Sequence, residues 1–384
     1  MQEIIALPFK GDPSLMRPAS KDFRCHESLE RHFVAAAADA DDDDVAHDHY
    51  AYDVSGSGQV VMFQCTLPET NKFLTFSCQE PSCGVLMEDE PAATKEEDGA
   101  MDPFFFDTGY TLAGKTGFQV WPGSRLVVEA MTFVDASNNH DSPRLRTWQE
   151  RMANGAKVLE LGSGVGVVGA SLASFGAHVL LSDLQTLVQN STQPNLQRNA
   201  NNKNQQSFRA NYDDTEIVLS SPPRPSWLPS NAVRIGKGWA ASTAVDWTIP
   251  LPEQVQHIRA SKASTTNSAD SSSSSENILG QIEVVIASDC VWLVSMMEPL
   301  FDTVQYVFQH NPNAKLLLSF QRRDGSTTTP ESSDSSESSM FTTVDKILTA
   351  IQHDRKWSVQ CLAWRYVNQT DQNEIFLFEV SPNH

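Results

Sequence analysis

Between Lys157 and Gly169 the chain reads KVLELGSGVGVVG, an apolar run that breaks into glycines at alternate positions. Val158, Leu159 and Leu161 suit a short buried strand, and the residues after Gly166 suit the opening of a helix. Glycines 162, 164 and 166 leave the turn without side chains, so backbone N–H groups can approach a ligand closely. Glu160 stands two positions before the first glycine. A strand, glycine turn and helix in this order hold a nucleotide-like cofactor at the carboxyl edge of a parallel sheet.

The rest of the chain supplies the sheet. HVLLSD (178–183) and IEVVIASD (282–289) are apolar strands that each end in an acid, and AKLLLSF (314–320) is a further buried strand. SVQCLAW (358–364) and EIFLFEV (374–380) close the series. VRIG (233–236) and STAVDW (242–247) are the best strand candidates in a polar, proline-rich stretch. Amphipathic helices lie between the strands. Val127, Ala130, Met131 and Val134 keep helical spacing, with Ser124 as the expected N-cap. A helix from Leu184 is expected to break near Pro194. Leu300, Phe301, Val304, Val307 and Phe308 share one helix face, and Val344, Ile347, Leu348 and Ile351 another. Continuous apolar strands alternating with such helices predict an α/β fold, a doubly wound, mostly parallel sheet with helices on both faces.

Outside that pattern, residues 1–49 include four consecutive aspartates at 41–44 and read as a disordered acidic segment. Residues 50–103 hold QVVMFQC (59–65) and KFLTFSC (72–78), a β-hairpin extension with a linker. The hairpin is either a small attachment or a piece lying across the main sheet. Residues 104–384 form one catalytic domain, with flexible serine-rich insertions at 261–276 and 326–339.

A formal charge of −20, from 48 acidic and 28 basic residues, disfavours gripping nucleic-acid backbone. It suits a basic protein substrate and solubility alike. The six cysteines show no CxxC pair, the only metal-like feature is His47 and His49 around Asp48, and no metal site is expected. No run approaches the ~20 apolar residues of a membrane span. The expected setting is a reducing compartment, the cytoplasm and with it the nucleus.

Two motifs mislead. GYTLAGKT (109–116) matches a phosphate-binding loop, but Gly117 and Pro122 deny it the helix that must follow. SSPPRPSW (220–227) resembles the catalytic loop of nucleic-acid amino-methyltransferases, yet Arg224 replaces the aromatic, so it reads as a surface loop. The glycine turn is itself ambiguous, since Gly164-x-Gly166-x-x-Gly169 also fits a dinucleotide site. Under either reading Asp183 is placed to take a ribose diol.

Five motifs in order narrow the choice. Thr116-Gly117-Phe-Gln-Val-Trp121-Pro122 precedes the first helix, and Glu160-Leu161-Gly162-Ser163-Gly164-Val165-Gly166 forms the turn. Asp183 ends the second strand, Val245-Asp246-Trp247 follows the third, and Ser288-Asp289-Cys290-Val291-Trp292 ends the fourth. Together they resemble the seven-strand (class I) S-adenosylmethionine-dependent methyltransferases, and more narrowly the methyltransferase-like family of protein-lysine methyltransferases. The resemblance implies a seven-stranded Rossmann-like sheet and S-adenosylmethionine as cofactor. It implies that Gly162, Ser163 and Gly164 line the methionine and ribose part, next to Glu160, and that Asp183 takes the ribose hydroxyls. Trp121, Trp247 and Ser288 would wall the pocket. Asp289 would orient a lysine ε-amine or accept its proton through water, and Trp292 would contact the lysine stem. The family carries Tyr or Phe where Trp292 stands, which puts the number of methyl groups added, and activity itself, in question. The alternatives are a methyltransferase fold without turnover that serves as a binding scaffold and, last, a dinucleotide oxidoreductase.

Overall fold

The computed structural model describes residues 60–67, 72–79, 116–132, 143–200, 223–254, 278–322, 342–366 and 374–383. The acidic segment 1–49, the linker after the hairpin, the 109–115 part of the phosphate-loop lookalike and both serine-rich insertions lie outside them.

The hairpin pairs β1 (Val60–Leu67) with β2 (Lys72–Gln79) antiparallel. Next come α1 (Pro122–Thr132), α2 (Pro143–Ala153), β3 (Lys157–Leu161), α3 (Val167–Phe175) and β4 (His178–Asp183). A helical segment at 185–200, α4, has a π turn over Val188–Thr192. Then follow β5 (Val233–Ile235), β6 (Gly238–Ala244), α5 (Ile278–Gln281), β7 (Val284–Ser288), α6 (Val294–His310) and β8 (Lys315–Gln321). The chain closes with α7 (Val344–Thr349), which runs on into a π turn, and with β9 (Ser358–Tyr366) and β10 (Glu374–Ser381).

The main sheet runs β5-β6-β4-β3-β7-β8-β10-β9. Strands β6, β4, β3, β7 and β8 are parallel, and β10 is antiparallel to both its neighbours. The resemblance implies seven strands and the sheet has eight, because both candidates in the proline-rich stretch are strands: VRIG is β5, and the second starts earlier than STAVDW, at Gly238, and ends at Ala244. The eighth, β5, is added at the edge because Gly236, at φ +59°, folds Val233–Ile235 back onto β6 as a tight hairpin. From β3 the chain winds outward through β4 and β6, then returns and winds the other way through β7 and β8. That reversal opens a crevice at the carboxyl ends of β3 and β7, where open α/β sheets bind ligands.

Alternate strand residues feed two cores, one per face. Val158, Val179, Leu181, Ile286, Leu317 and Leu377 pack toward α1, α2 and α3, and Leu159, Leu180, Val285, Leu318 and Phe376 toward α6 and α7. Helix α2 escaped the sequence reading, although Leu145, Trp148 and Met152 bury one face of it. Its Arg144 and Trp148 side chains both reach the buried Glu379 carboxylate on β10. Burial pushes that carboxyl up, but the two donors outweigh it and hold it below the usual range.

Two helix ends depart from expectation. Pro122 opens α1, where its missing N–H costs nothing, so Ser124 lies inside the first turn and is no cap. Pro194 does not break α4. The π turn just before it widens the helix where the proline would otherwise press on a carbonyl. The hairpin lies on α3 and α4, not across the main sheet, with Leu74, Phe76 and Cys78 inserted into the first core.

Candidate functional site

The glycine turn leaves β3 with Gly162, Gly164 and Gly166 at φ +67°, +49° and +86°, conformations that a side chain resists. Space is equally restrictive. A Cβ on Gly162 would stand 2.6 Å from Cys290 Sγ and 3.0 Å from the Trp247 ring. A Cβ on Gly164 would stand 2.7 Å from the Gly117 carbonyl oxygen. The Thr116-Gly117 segment therefore lies directly over the turn, and the step after β7 and the segment after β6 press on it from the side.

Buried side chains hold the turn in place. Gly164 N–H donates to Asp183 Oδ2 at 2.7 Å, and Leu184 N–H donates to Asp183 Oδ1 at 2.7 Å. Thr192 Oγ1, on the π turn, donates to Gly164 O at 2.7 Å, and Asn195 Nδ2 donates to Val165 O at 3.1 Å. Ser163 N–H donates to Ser182 O, which ties the turn to the end of β4. Burial raises the Asp183 carboxyl to about 6 against the two backbone donors that pull it down. Glu160 lies deeper, beneath the turn and only 1% exposed, and takes the Gly169 N–H. Its Oε2 has no hydrogen-bond partner among the described residues, and desolvation raises this carboxyl to about 8, with the Asp183 charge adding to the rise.

At the end of β7, Asp289 takes a left-handed conformation, φ 54°, which aspartate tolerates better than most residues. Its Oδ2 accepts the Gly123 N–H at 2.5 Å and its Oδ1 accepts the Gln321 N–H at 2.8 Å. The carboxylate thus caps α1 and fixes it to the end of β8. It does not cap α6, whose N-cap Leu293 has no side-chain bond. Ser288 Oγ meets Ser124 Oγ at 3.1 Å, so Ser124 bridges to β7. Val291 and Trp292 carbonyls accept from Thr342, which anchors the loop after β7 to the start of α7. Trp292 is half-buried.

Trp121 is half-buried, and its Nε1 donates to Thr116 O at 2.9 Å, closing the segment over the glycine turn. Asp246 Oδ1 accepts from Thr248 N–H and Oγ1. That turn aims the half-buried Trp247 ring back over Gly162. All ten residues singled out in the sequence therefore gather at the carboxyl edge around β3, β4, β6 and β7. Asn195, Thr192 and Cys290 were not singled out. Only Cys290, inside the Asp289–Trp292 motif, carried any sequence signal. Its buried thiol lies 3.2 Å from Leu161 O, and burial pushes it well above the usual range.

The cradle fits a nucleoside cofactor. Its floor is two glycines around a buried serine, an aromatic face lies at one edge, and a buried carboxylate ends the adjacent strand. Among the described residues there is no group of three or more potential metal ligands, and no helix long and apolar enough to cross a membrane.

A family model described as lysine methyltransferase matches residues 110–213 and 267–346. The first segment contains Thr116–Pro122, the glycine turn and Asp183, and the second contains Ser288–Trp292. No curated protein matches the chain. Among solved structures, magnesium protoporphyrin IX methyltransferase from Synechocystis PCC 6803, with bound SAH, is 13% identical. That alignment covers 72% of this chain and 96% of that one, with a TM-score of 0.34. Cofactor-bound Rv0187 from MTB is 12% identical over 72% and 94% of the two chains, TM-score 0.32. EvdMO1 is 12% identical over 67% of this chain and 46% of its own length, TM-score 0.33.

Proposed function

We propose that the chain is a class I S-adenosylmethionine-dependent enzyme of the lysine methyltransferase family whose model it matches, and that it transfers a methyl group to a lysine ε-amine of a protein substrate. The family match carries this reading, since its two segments hold both the glycine turn and the Asp289–Trp292 step. When bound, S-adenosylmethionine supplies an electrophilic sulfonium methyl. Gly162, Ser163 and Gly164 form the floor for the methionine and ribose part. Asp183 keeps acceptor capacity beyond its two backbone bonds, enough for ribose hydroxyls. Trp121, Trp247 and Ser288 wall the pocket.

The attacking amine must be uncharged. A site that excludes water disfavours the ammonium form, and the half-buried Trp292 ring offers a face for the lysine stem. Asp289 accepts the Gly123 and Gln321 N–H groups, one on each oxygen, and in this reading the amine N–H is a further donor to the same carboxylate. Its first task is to hold α1, and with it Trp121, against the sheet. Holding reactants in line is the main source of acceleration for such a displacement.

The same engagement of Asp289, with tryptophan at position 292, favours a second reading: a cofactor-binding scaffold without turnover. Incubating the full chain with labelled S-adenosylmethionine and a cell extract tests both. Label on lysine of one or a few proteins is the expected result. Label on another residue type or on a small molecule overturns the lysine assignment. Cofactor binding by calorimetry with no transfer, from wild type and from Trp292→Tyr alike, selects the scaffold.

A further inference from the structure

Strand β2 presents one edge to β1 and the other to α4. Thr75 and Ser77 point their backbone groups to that second edge, and two asparagines satisfy them. Thr75 N–H donates to Asn199 Oδ1 at 2.9 Å, and Asn199 Nδ2 returns a bond to Thr75 O at 2.9 Å. Ser77 N–H donates to Asn195 Oδ1 at 2.9 Å, and Asn195 Nδ2 donates to Ser77 O at 3.1 Å. The carboxamide is the side-chain counterpart of a peptide unit, so the pair continues the β-ladder onto a helix. The spacings allow it: four helical residues rise about 6 Å, and two strand residues span about 6.8 Å.

One of the two asparagines does more. Asn195 Nδ2 also donates to Val165 O in the glycine turn, and Arg198 Nη1 steadies Asn195 Oδ1 at 2.9 Å. Asn195 is 1% exposed, so nothing from solvent can replace these bonds. A single buried amide thus joins the hairpin to the turn, three residues beyond Thr192, which holds the preceding carbonyl. The hairpin lies outside the residues that the family model matches.

We propose that the β1–β2 hairpin is a positioning element for the cofactor turn, with Asn195 as the coupling residue. The proposal rests on the glycine turn being the cofactor-binding loop. A docked hairpin holds Asn195 in the rotamer that fixes Val165 O, and a bound cofactor, by steadying the turn, holds the hairpin down. Such coupling is reciprocal, so each side must feel the other by the same factor.

Calorimetry with S-adenosylhomocysteine and hydrogen exchange across residues 72–79 of the full chain test it. In wild type, saturating S-adenosylhomocysteine is expected to slow exchange of β2 about 3- to 10-fold. Asn195→Ala is expected to weaken binding by a similar factor and to abolish the slowing. Asn199→Ala, which removes bonds to Thr75 and to the Asn195 carbonyl but none to the glycine turn, should speed β2 exchange and keep the slowing. If Asn195→Ala does not fold, Asn195→Asp serves. It retains the acceptor for Ser77 N–H, loses both donated bonds, and should also lose the slowing. Exchange in wild-type β2 that ignores the ligand overturns the proposal, even if Asn195→Ala binds more weakly. So does unchanged affinity in Asn195→Ala. Failure of wild type to bind S-adenosylhomocysteine at all would instead overturn the assignment of the turn.

Discussion

Two aspartates end strands on either side of β3, and each carboxylate takes two backbone N–H groups. Asp183, after β4, serves its own neighbourhood: Leu184 beside it and Gly164 in the glycine turn. Asp289, after β7, reaches Gly123 and Gln321, 166 and 32 residues away in sequence. One acid shapes a ligand loop. The other joins a helix start and a strand end that would otherwise have no reason to meet. Equal bonding geometry can therefore support unequal roles: losing Asp183 should be felt in ligand affinity, and losing Asp289 in the integrity of the whole edge.

The largest effect should come from Asp289→Ala. It removes two charge-assisted bonds and leaves two buried N–H groups unpaired, at a cost of about 3–4 kcal/mol in chemical denaturation. Strain from a left-handed alanine adds to it. Asp289→Asn separates the two, since asparagine tolerates that backbone and keeps one acceptor. It should lose about half as much. Were Asp289→Ala to denature like wild type but bind cofactor poorly, the contrast between the acids would collapse.

Glu160 sharpens the comparison because it is a buried acid with one oxygen unpartnered among the described residues. Its carboxyl is raised from 4.5 to about 8, by burial first, despite the Gly169 N–H that lowers it. Between those values the unfolded chain ionises while the folded one does not, so stability is lost as pH rises, by up to about 1.4 kcal/mol per unit. Glu160→Gln is neutral, nearly the same shape and still able to accept from Gly169. Denaturation midpoints from pH 5 to 8 should decline for wild type relative to the variant. Parallel curves would show that Glu160 ionises normally under the turn.

The strands and the glycine turn were legible because their signals are local: apolar runs of strand length, and glycines where the backbone needs φ > 0. The motifs also indicated which acids would gather at the edge. What escaped depended on partners far along the chain. Ser124 looks like a cap in sequence, but Pro122 already opens the helix and the hydroxyl goes to Ser288. Pro194 looks like a break, and the π turn that absorbs it has no signature in residue types. Asn195 and Asn199 lie beyond the break expected at Pro194 and carried no signal, because nothing in their vicinity announces a strand edge 118 and 124 positions earlier.

Asp183→Asn makes on the first acid the change already set for the second. Its expected signature is a rise of about tenfold in the dissociation constant for S-adenosylhomocysteine, or about 1.4 kcal/mol, with a smaller change in denaturation. The carboxyl, raised by burial from 3.8 to about 6, also predicts a pH dependence. Affinity should fall as pH drops through 6, because the neutral acid loses both charge and an acceptor. The asparagine variant should be flat from pH 5 to 8. If both proteins titrate alike, Asp183 is not the group that senses the ligand.

The smallest effect belongs to Asp246, an acid whose carboxylate bonds only within its own turn. Its side chain meets Thr248 at an exposed position, so Asp246→Ala should cost about 0.5–1 kcal/mol. The backbone of the turn keeps a second support, since Gln254 bonds both the N–H and the carbonyl of Asp246. Trp247 should therefore drift from Gly162 without leaving it, and affinity for S-adenosylhomocysteine should fall about two- to threefold. Tryptophan fluorescence on ligand addition reads the same event directly. A large loss of affinity here would mean that the Trp247 ring, and not either strand-ending acid, contributes most to holding the cofactor.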